Sequence, residues 1–158
     1  MDKKFNITIY TDGSCSHNGE ETATGGWSYI IKYGQHEKSS FGYESHTTNN
    51  RMELRAVIEA LKVLKSPCEI VVCTDSKYVC ANAQQIKDIR ARGWKTKSGS
   101  AFKNTELWQE LITVANNGKH HLVFKHIEAH ASDKDNNRCD AMAKNAWKAR
   151  SANGVIVK

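Results

Sequence analysis

The period of the apolar positions changes along the chain. Phe5-Asn6-Ile7-Thr8-Ile9-Tyr10 alternates apolar with polar residues, and Gly26-Trp27-Ser28-Tyr29-Ile30-Ile31-Lys32-Tyr33 is aromatic and β-branched. Ser39-Ser40-Phe41-Gly42-Tyr43-Glu44 follows a turn at Gly34, so the three segments read as strands joined by polar loops. Over residues 50–65 the spacing shifts to three and four: Leu54, Val57, Ile58, Leu61 and Leu64 put an apolar stripe on one face of a helix that Pro67 stops. Glu69-Ile70-Val71-Val72-Cys73-Thr74 is a nearly continuous apolar run. That is the pattern of a strand covered on both faces, and it marks the expected sheet centre. Residues 76–85 read as a helix, 86–103 as a basic short helix and loop, 104–116 as a capped helix ended by Gly118, and 121–127 as a further strand. A polar loop over 131–136 leads to a last helix with Cys139, Met142, Ala143, Ala146 and Ala149 along one side.

This order of elements predicts an α/β fold, a mixed sheet with helices packed on it. No repeat, linker or low-complexity stretch divides the 158 residues, so one domain is expected. Ligand sites in open α/β sheets gather beyond the carboxyl ends of the central strands.

Composition narrows the function classes. The chain is 39% hydrophobic and 25% charged with a mean hydropathy of -0.61, ordinary for a soluble globular protein. No apolar run approaches the roughly 20 residues of a membrane span. The start lacks the features of a signal peptide, so a cytoplasmic location is expected. Cys15, Cys68, Cys73, Cys80 and Cys139 contain no C-x-x-C pair and read as free thiols. The net charge of +6 is uneven: residues 77–125 hold nine bases against three acids, while residues 1–76 hold eight against ten. A localised basic surplus suits a polyanion, nucleic acid first and an acidic membrane surface second.

Four acids stand where a solvated charge is not expected. Asp12 follows the first strand and Asp75 the fourth, so parallel pairing of those strands would bring both out at one edge. Glu53 borders the apolar stripe of its helix, and Asp140 starts the last helix. Each has an ordinary structural explanation on its own: a turn at Asp12-Gly13, a capping box of Asn50 with Glu53, a cap by Asp75, and a helix-dipole preference for Asp140. Together they repel one another unless a divalent ion neutralises them, and oxygen-only ligands suit Mg²⁺ or Mn²⁺. Two such ions can clamp the attacking and leaving oxygens of a phosphoryl displacement, and with the basic surplus this points to phosphodiester hydrolysis.

Thr11 to Cys15, Thr47 to Leu54, Thr74 to Val79, Arg92 to Thr96, Asn104 to Leu111 and Asn137 to Asp140 together resemble type 1 ribonuclease H of the bacterial kind, nearly end to end and at family spacings. The resemblance implies a five-stranded mixed sheet, three antiparallel strands then two parallel, flanked by helices. It implies cleavage of the RNA strand of an RNA/DNA hybrid to 5′-phosphate and 3′-hydroxyl ends, with Asp12, Glu53, Asp75 and Asp140 as metal ligands. By the same resemblance His130 corresponds to a catalytic-loop histidine that helps protons or product leave, a role that a histidine titrating near neutrality suits, while the residues alone read equally as an exposed loop histidine. Ala129 stands where the family usually has glycine, which alters the backbone freedom of that loop.

The substrate-binding candidates follow. Lys87, Arg90, Arg92, Lys95, Lys97 and Lys103 surround Trp94, a mixture of cations and an aromatic ring that suits nucleic acid, although Trp94 equally suits the core. The resemblance makes this segment the protrusion that grips the DNA strand. It also places Thr48 on a DNA phosphate and Cys15, Asn18, Asn49 and Asn50 along the minor groove; for the helix-entry residues Thr48, Asn49 and Asn50, plain capping is the alternative. Lys77 replaces the glutamine of many relatives. Trp108 and Trp147 read as core, and His17, His36, His46, His120 and His121 as surface. His126-Ile127-Glu128-Ala129-His130 lacks the spacing of a zinc protease, and a zinc site from His126, His130 and Cys139 is a remote alternative. A monomer without an obligate protein partner or membrane is expected. The competing readings are a nuclease or strand-transfer enzyme acting on DNA, a non-catalytic hybrid-binding module, and a membrane-surface protein.

Overall fold

The computed structural model describes residues 4–16, 23–128 and 133–149. The strands are β1 (Phe5–Cys15), β2 (Thr24–Tyr33), β3 (His36–Ser45), β4 (Cys68–Thr74) and β5 (His121–His126). The helices are α1 (Asn49–Lys62), α2 (Lys77–Ala91), α3 (Thr105–Asn117) and α4 (Lys134–Ala149). The sheet order is β3-β2-β1-β4-β5, antiparallel across the first three strands and parallel from β1 through β4 to β5. The expected mixed α/β architecture is present. Its centre, however, is β1 and not β4.

β1 is longer than its apolar residues suggest. It runs through Asp12 to Cys15 because each of these polar residues keeps a partner on β2, from Asp12 opposite Ser28 to Cys15 opposite Gly25. Gly34 (φ +56) supplies the left-handed residue of the two-residue loop between Tyr33 and His36.

Alternation along β1 divides the molecule into two layers. Ile7 and Ile9 join Trp27, Tyr29 and Ile31 of β2 under α1, which α3 covers from outside. This double cover buries Met52, Ala56 and Ala60 as well as the predicted stripe. What remains of α1 carries Arg55 and Lys62, which pair with Glu110 of α3 at 3.1 Å each. Trp108 of α3 lies in this core and donates its Nε1 to the Tyr78 hydroxyl of α2 at 3.1 Å.

On the other face α4 packs on β1, β2 and β3. It begins at Lys134, earlier than its apolar residues indicate, because Asp133 caps the amides of Asp135 and Asn136. Cys139, Ala143 and Ala146 are buried as expected, Met142 and Trp147 are half-buried, and Ala149 is exposed. β4 lies beyond α4, so Val71 keeps 37% exposure and Val123 of β5 50%; the two-sided cover read from the apolar run is not present. α2 is one continuous helix to Ala91, not a helix to Gln85 followed by a separate short one. His120 is half-buried and accepts the Cys68 amide through Nδ1 at 3.2 Å, a structural place and not a surface one.

Gly26 lets α4 approach β2 closely, since a Cβ there would stand 2.1 Å from the Ala143 carbonyl oxygen. Gly26→Ala is expected to destabilise the fold by about 1–3 kcal/mol through forced separation of these elements. A lowered urea midpoint checks this, and an unchanged midpoint would contradict the packing.

Candidate active site

β1 and β4 run parallel with Tyr10 beside Cys73, so Asp12 and Asp75 each stand two residues beyond that pair at one edge of the sheet. Asp12 is 3% exposed inside β1, which removes the turn explanation. Asp75 lies between β4 and α2, and the cap of α2 is Ser76, whose Oγ accepts the Val79 amide at 3.1 Å. Glu53 is 7% exposed in the second turn of α1. The cap of that helix is Thr48, accepting the Arg51 amide at 3.2 Å, so no capping box with Asn50 forms. Asp140 is two turns into α4, too deep for a dipole role at its start.

All four carboxylates line one polar cavity of about 490 Å³ together with Ser14, Cys15, Asn49, Asn50, Lys77, Tyr78 and Lys144. One oxygen from each of Asp12, Glu53 and Asp75 lies within 4.8 Å of the others. Asp140 lines the same cavity from the α4 side. Glu53 is held by two donors, the Gly13 amide to Oε1 at 2.7 Å and the Thr74 hydroxyl to Oε2 at 3.3 Å. Gly13 is required for this approach, because a Cβ there would sit 2.4 Å from the Glu53 amide nitrogen.

Burial drives the Asp12 carboxyl well above the usual carboxylate range, and Glu53, Asp75 and Asp140 raise it further. Burial also raises Glu53, with Asp75 adding repulsion, while its bonds to Gly13, Asp12 and Thr74 oppose the rise. At the partly exposed rim the Lys144 Nζ lies 3.0 Å from Asp140 Oδ2. Asp12 Oδ2 is buried and has no hydrogen-bond partner among the described residues. An anionic oxygen left so costs several kcal/mol, and a hard divalent cation is the group that fits an all-oxygen donor set. The residues therefore fit a divalent metal ion.

The other candidates divide into three groups. Thr48 caps α1, exposed Asn49 and Asn50 begin it, and Cys15 and Lys77 stand at the cavity wall, the Cys15 thiol facing the Thr47 carbonyl at 3.6 Å. Lys87 and Arg90 project from the second half of α2, and Arg92 and Lys95 from the loop after it; none of them lines the carboxylate cavity. The helix between carries them about 20 Å away at 1.5 Å per residue. Trp94 is half-buried with its ring 6.5 Å from that of Phe102, so it belongs partly to the core. Asn18 and His130 lie outside the described residues. The Cys139 thiol donates to the Tyr10 carbonyl at 3.3 Å beneath α4, while His126 ends β5 exposed; Cys139 is thus committed to packing, not to zinc.

Residues 4–148 match the RNase H family. The chain belongs to that family. It is 44% identical over 138 residues to a ribonuclease H of Neisseria meningitidis serogroup C, covering 87% of this chain and 92% of the relative. It is also 44% identical over 147 residues to a ribonuclease H of Acetivibrio thermocellus, covering 92% and 97%. Among solved structures, LC9-RNase H1, a type 1 RNase H with the type 2 active-site motif, superposes with a TM-score of 0.85 at 30% identity, covering 100% of this chain and 79% of that one. LC11-RNase H1 in complex with RNA/DNA hybrid superposes at 0.68 with 26% identity, covering 90% and 96%.

Three further residues contribute to the site. Thr74 holds both Glu53 and the Ser76 amide, the latter at 3.0 Å, and its place before Asp75 was the available signal. The Gly13 amide has no side-chain signature. Lys144 follows Asp140 by one helical turn, the spacing at which a pair forms.

Raised native carboxyl pKa values mean that the site contributes its full stability below the unfolded-state pKa and loses it as pH rises toward the native value. Metal-free Asp12→Asn, neutral at every pH, is therefore expected to melt above the parent at pH 8, with the gain fading toward pH 4. Each kcal/mol of relieved repulsion corresponds to about 2–4 °C for a domain of this size. Calorimetric melts across that range check the sign.

Proposed function

We propose a two-metal mechanism with Mg²⁺ as the cofactor, or Mn²⁺ in its place, for the hydrolysis of the RNA strand of RNA/DNA hybrids that membership of the ribonuclease H family brings with it. The observation that carries this reading is the convergence of four carboxylates from four separate elements around the unpartnered oxygen of Asp12. Asp12, Glu53, Asp75 and Asp140 hold the ions. Bound Mg²⁺ supplies the charge that activates water and stabilises the leaving 3′-oxygen, giving 5′-phosphate and 3′-hydroxyl ends.

The chain's own groups orient this site. Gly13 and Thr74 fix both oxygens of Glu53, so that carboxylate meets an arriving cation without reorganising. Cys15, Asn49 and Asn50 face the minor groove and Thr48 a DNA phosphate, with Asn18 assigned to that groove by the resemblance alone. A hybrid carries 2′-hydroxyls on one strand only, so donors and acceptors across that groove distinguish RNA from DNA. Lys77, at the cavity wall, makes an electrostatic contact there. Lys87, Arg90, Arg92, Trp94 and Lys95 grip the DNA strand away from the cut, independent of sequence. His130, placed by the resemblance alone, assists protons or product in leaving. The 158 residues act as one domain and as a monomer, without obligate protein partner or membrane, in the cytoplasm; the free state of all five thiols supports that compartment.

Labelled RNA/DNA, DNA/DNA and RNA/RNA duplexes, each with and without Mg²⁺, test the assignment. Cleavage is expected of the RNA/DNA duplex alone and only with metal, and Asp12→Asn is expected to abolish it while hybrid binding persists. Cleavage of the DNA duplex would assign the DNA-cutting alternative, and full Mg²⁺-dependent activity in Asp12→Asn would refute the carboxylate site. Replacing Lys87 and Arg90 by alanine is expected to weaken hybrid binding and to flatten its logarithmic salt dependence by about one per lost phosphate contact, with the maximal rate kept. An unchanged salt slope would remove the α2 end from the interface.

A further inference from the structure

Ser28 stands directly opposite Asp12 in the antiparallel β1–β2 pair, so the two side chains leave the same face of the sheet, the face α4 covers. Ser28 is wholly buried, and its Oγ donates to the Cys139 carbonyl at 2.6 Å. Cys139 lies inside α4, where helix geometry already provides its carbonyl with a donor four residues on. The bond from Ser28 is therefore additional to the helix's own. Alanine would fill this place in the strand without burying a hydroxyl, so the hydroxyl is not required by packing.

The position of this bond gives it a second consequence. Cys139 immediately precedes Asp140, and its thiol donates to the Tyr10 carbonyl at 3.3 Å, two residues before Asp12. The backbone that carries Asp140 is thus tied to both strands of the pair at the level of Asp12. Asp140 reaches the cavity from α4 and Asp12 from β1, so how closely α4 sits on the strand pair sets how far apart the two carboxyls lie. The Ser28 bond fixes that approach at the level of Asp12. The ion pairs at the start of α4, Lys32 to Asp135 at 2.6 Å and Arg138 to Glu37 at 2.7 Å, lie on the partly exposed rim, where screening weakens them.

We propose that Ser28 is a positioning residue of the metal site: by holding the Cys139–Asp140 backbone against the strand pair that carries Asp12, it keeps the Asp140 carboxylate in the cavity it shares with Asp12, where it would help hold a divalent cation. The assignment rests on the carboxylate reading above and deepens it. Ser28 acts only through Asp140 and touches neither substrate nor metal.

The test uses Mn²⁺ binding to the metal-free full chain by calorimetry, with hybrid cleavage followed over a Mg²⁺ series. Ser28→Ala is expected to weaken Mn²⁺ binding by about tenfold, the loss typical when a residue supporting a metal ligand is removed. The half-saturating Mg²⁺ concentration is expected to rise alongside, with the KM for hybrid unchanged and the rate recovering at high Mg²⁺. Ser28→Thr, which keeps the hydroxyl, is expected to restore Mn²⁺ affinity. A lowered melting temperature in Ser28→Ala with wild-type Mn²⁺ affinity would mean a merely structural bond and overturn the proposal alone. A wild-type chain that binds no Mn²⁺ would overturn the carboxylate reading and this proposal with it.

Discussion

The structure depends on keeping like charges together at a place where they repel. Two carboxylates 4 Å apart cost about 4 kcal/mol at an effective dielectric of 20, and Asp12 has three acidic neighbours. No single element can impose that arrangement, because neighbouring side chains on one helix or strand are free to turn apart. Here each acid belongs to a different anchor: β1, α1, the end of β4, and α4. The position of each anchor is set by apolar packing elsewhere, under α1 and α3 on one face and under α4 on the other. The carboxylates are held together by burial that involves none of them directly.

β1 is the element on which these demands meet. Its alternating faces serve two helices, and at its far end the same alternation sends Gly13 toward Glu53 and Asp12 toward Asp140. Both helices come close only because the chain has glycine at the contact points, Gly13 against α1 and Gly26 against α4. Placing α4 over β1 to β3 leaves β4 and β5 partly bare on that side, which accounts for exposed Val71 and Val123. The arrangement gives up burial at the sheet edge and brings Asp140 to the site.

Much of this was legible in the sequence, and the misread element ends share a cause. Strand and helix periods located every element, since a one-sided apolar pattern is a local property. The ends were misread where polar residues continue an element for tertiary reasons: Asp12 to Cys15 stay in β1 through pairing with β2, and Lys134 to Asn137 belong to α4 because Asp133 caps them. The ordinary explanations offered for Asp12, Glu53, Asp75 and Asp140 all assumed chain punctuation at those residues. In each case the turn or cap lies elsewhere, at Thr48, Ser76 and Asp133 for the three helices. β4 was misplaced at the centre because an apolar run reports the burial of its own residues and carries nothing about which strand lies on either side. The donors to Glu53 were illegible for a different reason: a backbone amide such as that of Gly13 has no residue type to read.

A polyanion approaching this molecule meets a negative cavity in a protein of net charge +6, and the layout of charge resolves the conflict. The surplus cations are not spread over the cavity, where they would neutralise the acids and exclude metal. They lie along α2 and beyond it, about 20 Å from the carboxylates by helix length, so on the proposed function phosphate binding and metal binding would draw on separate groups. On the function proposed above, phosphate contacts at that distance would hold the duplex without entering the reaction, and divalent ions held by the four acids would supply the attraction for the scissile phosphate. Lys77 and Lys144 are the exceptions, ammonium groups at the cavity wall itself. Lys144 pairs with Asp140, the carboxylate outside the tight trio, and so offsets part of the repulsion at the rim while leaving the unpartnered oxygen of Asp12 open to a cation. On that function binding strength would be separated from catalytic charge: cations on α2 would tune the first, and the second would be set by how closely β1, α1, β4 and α4 are packed.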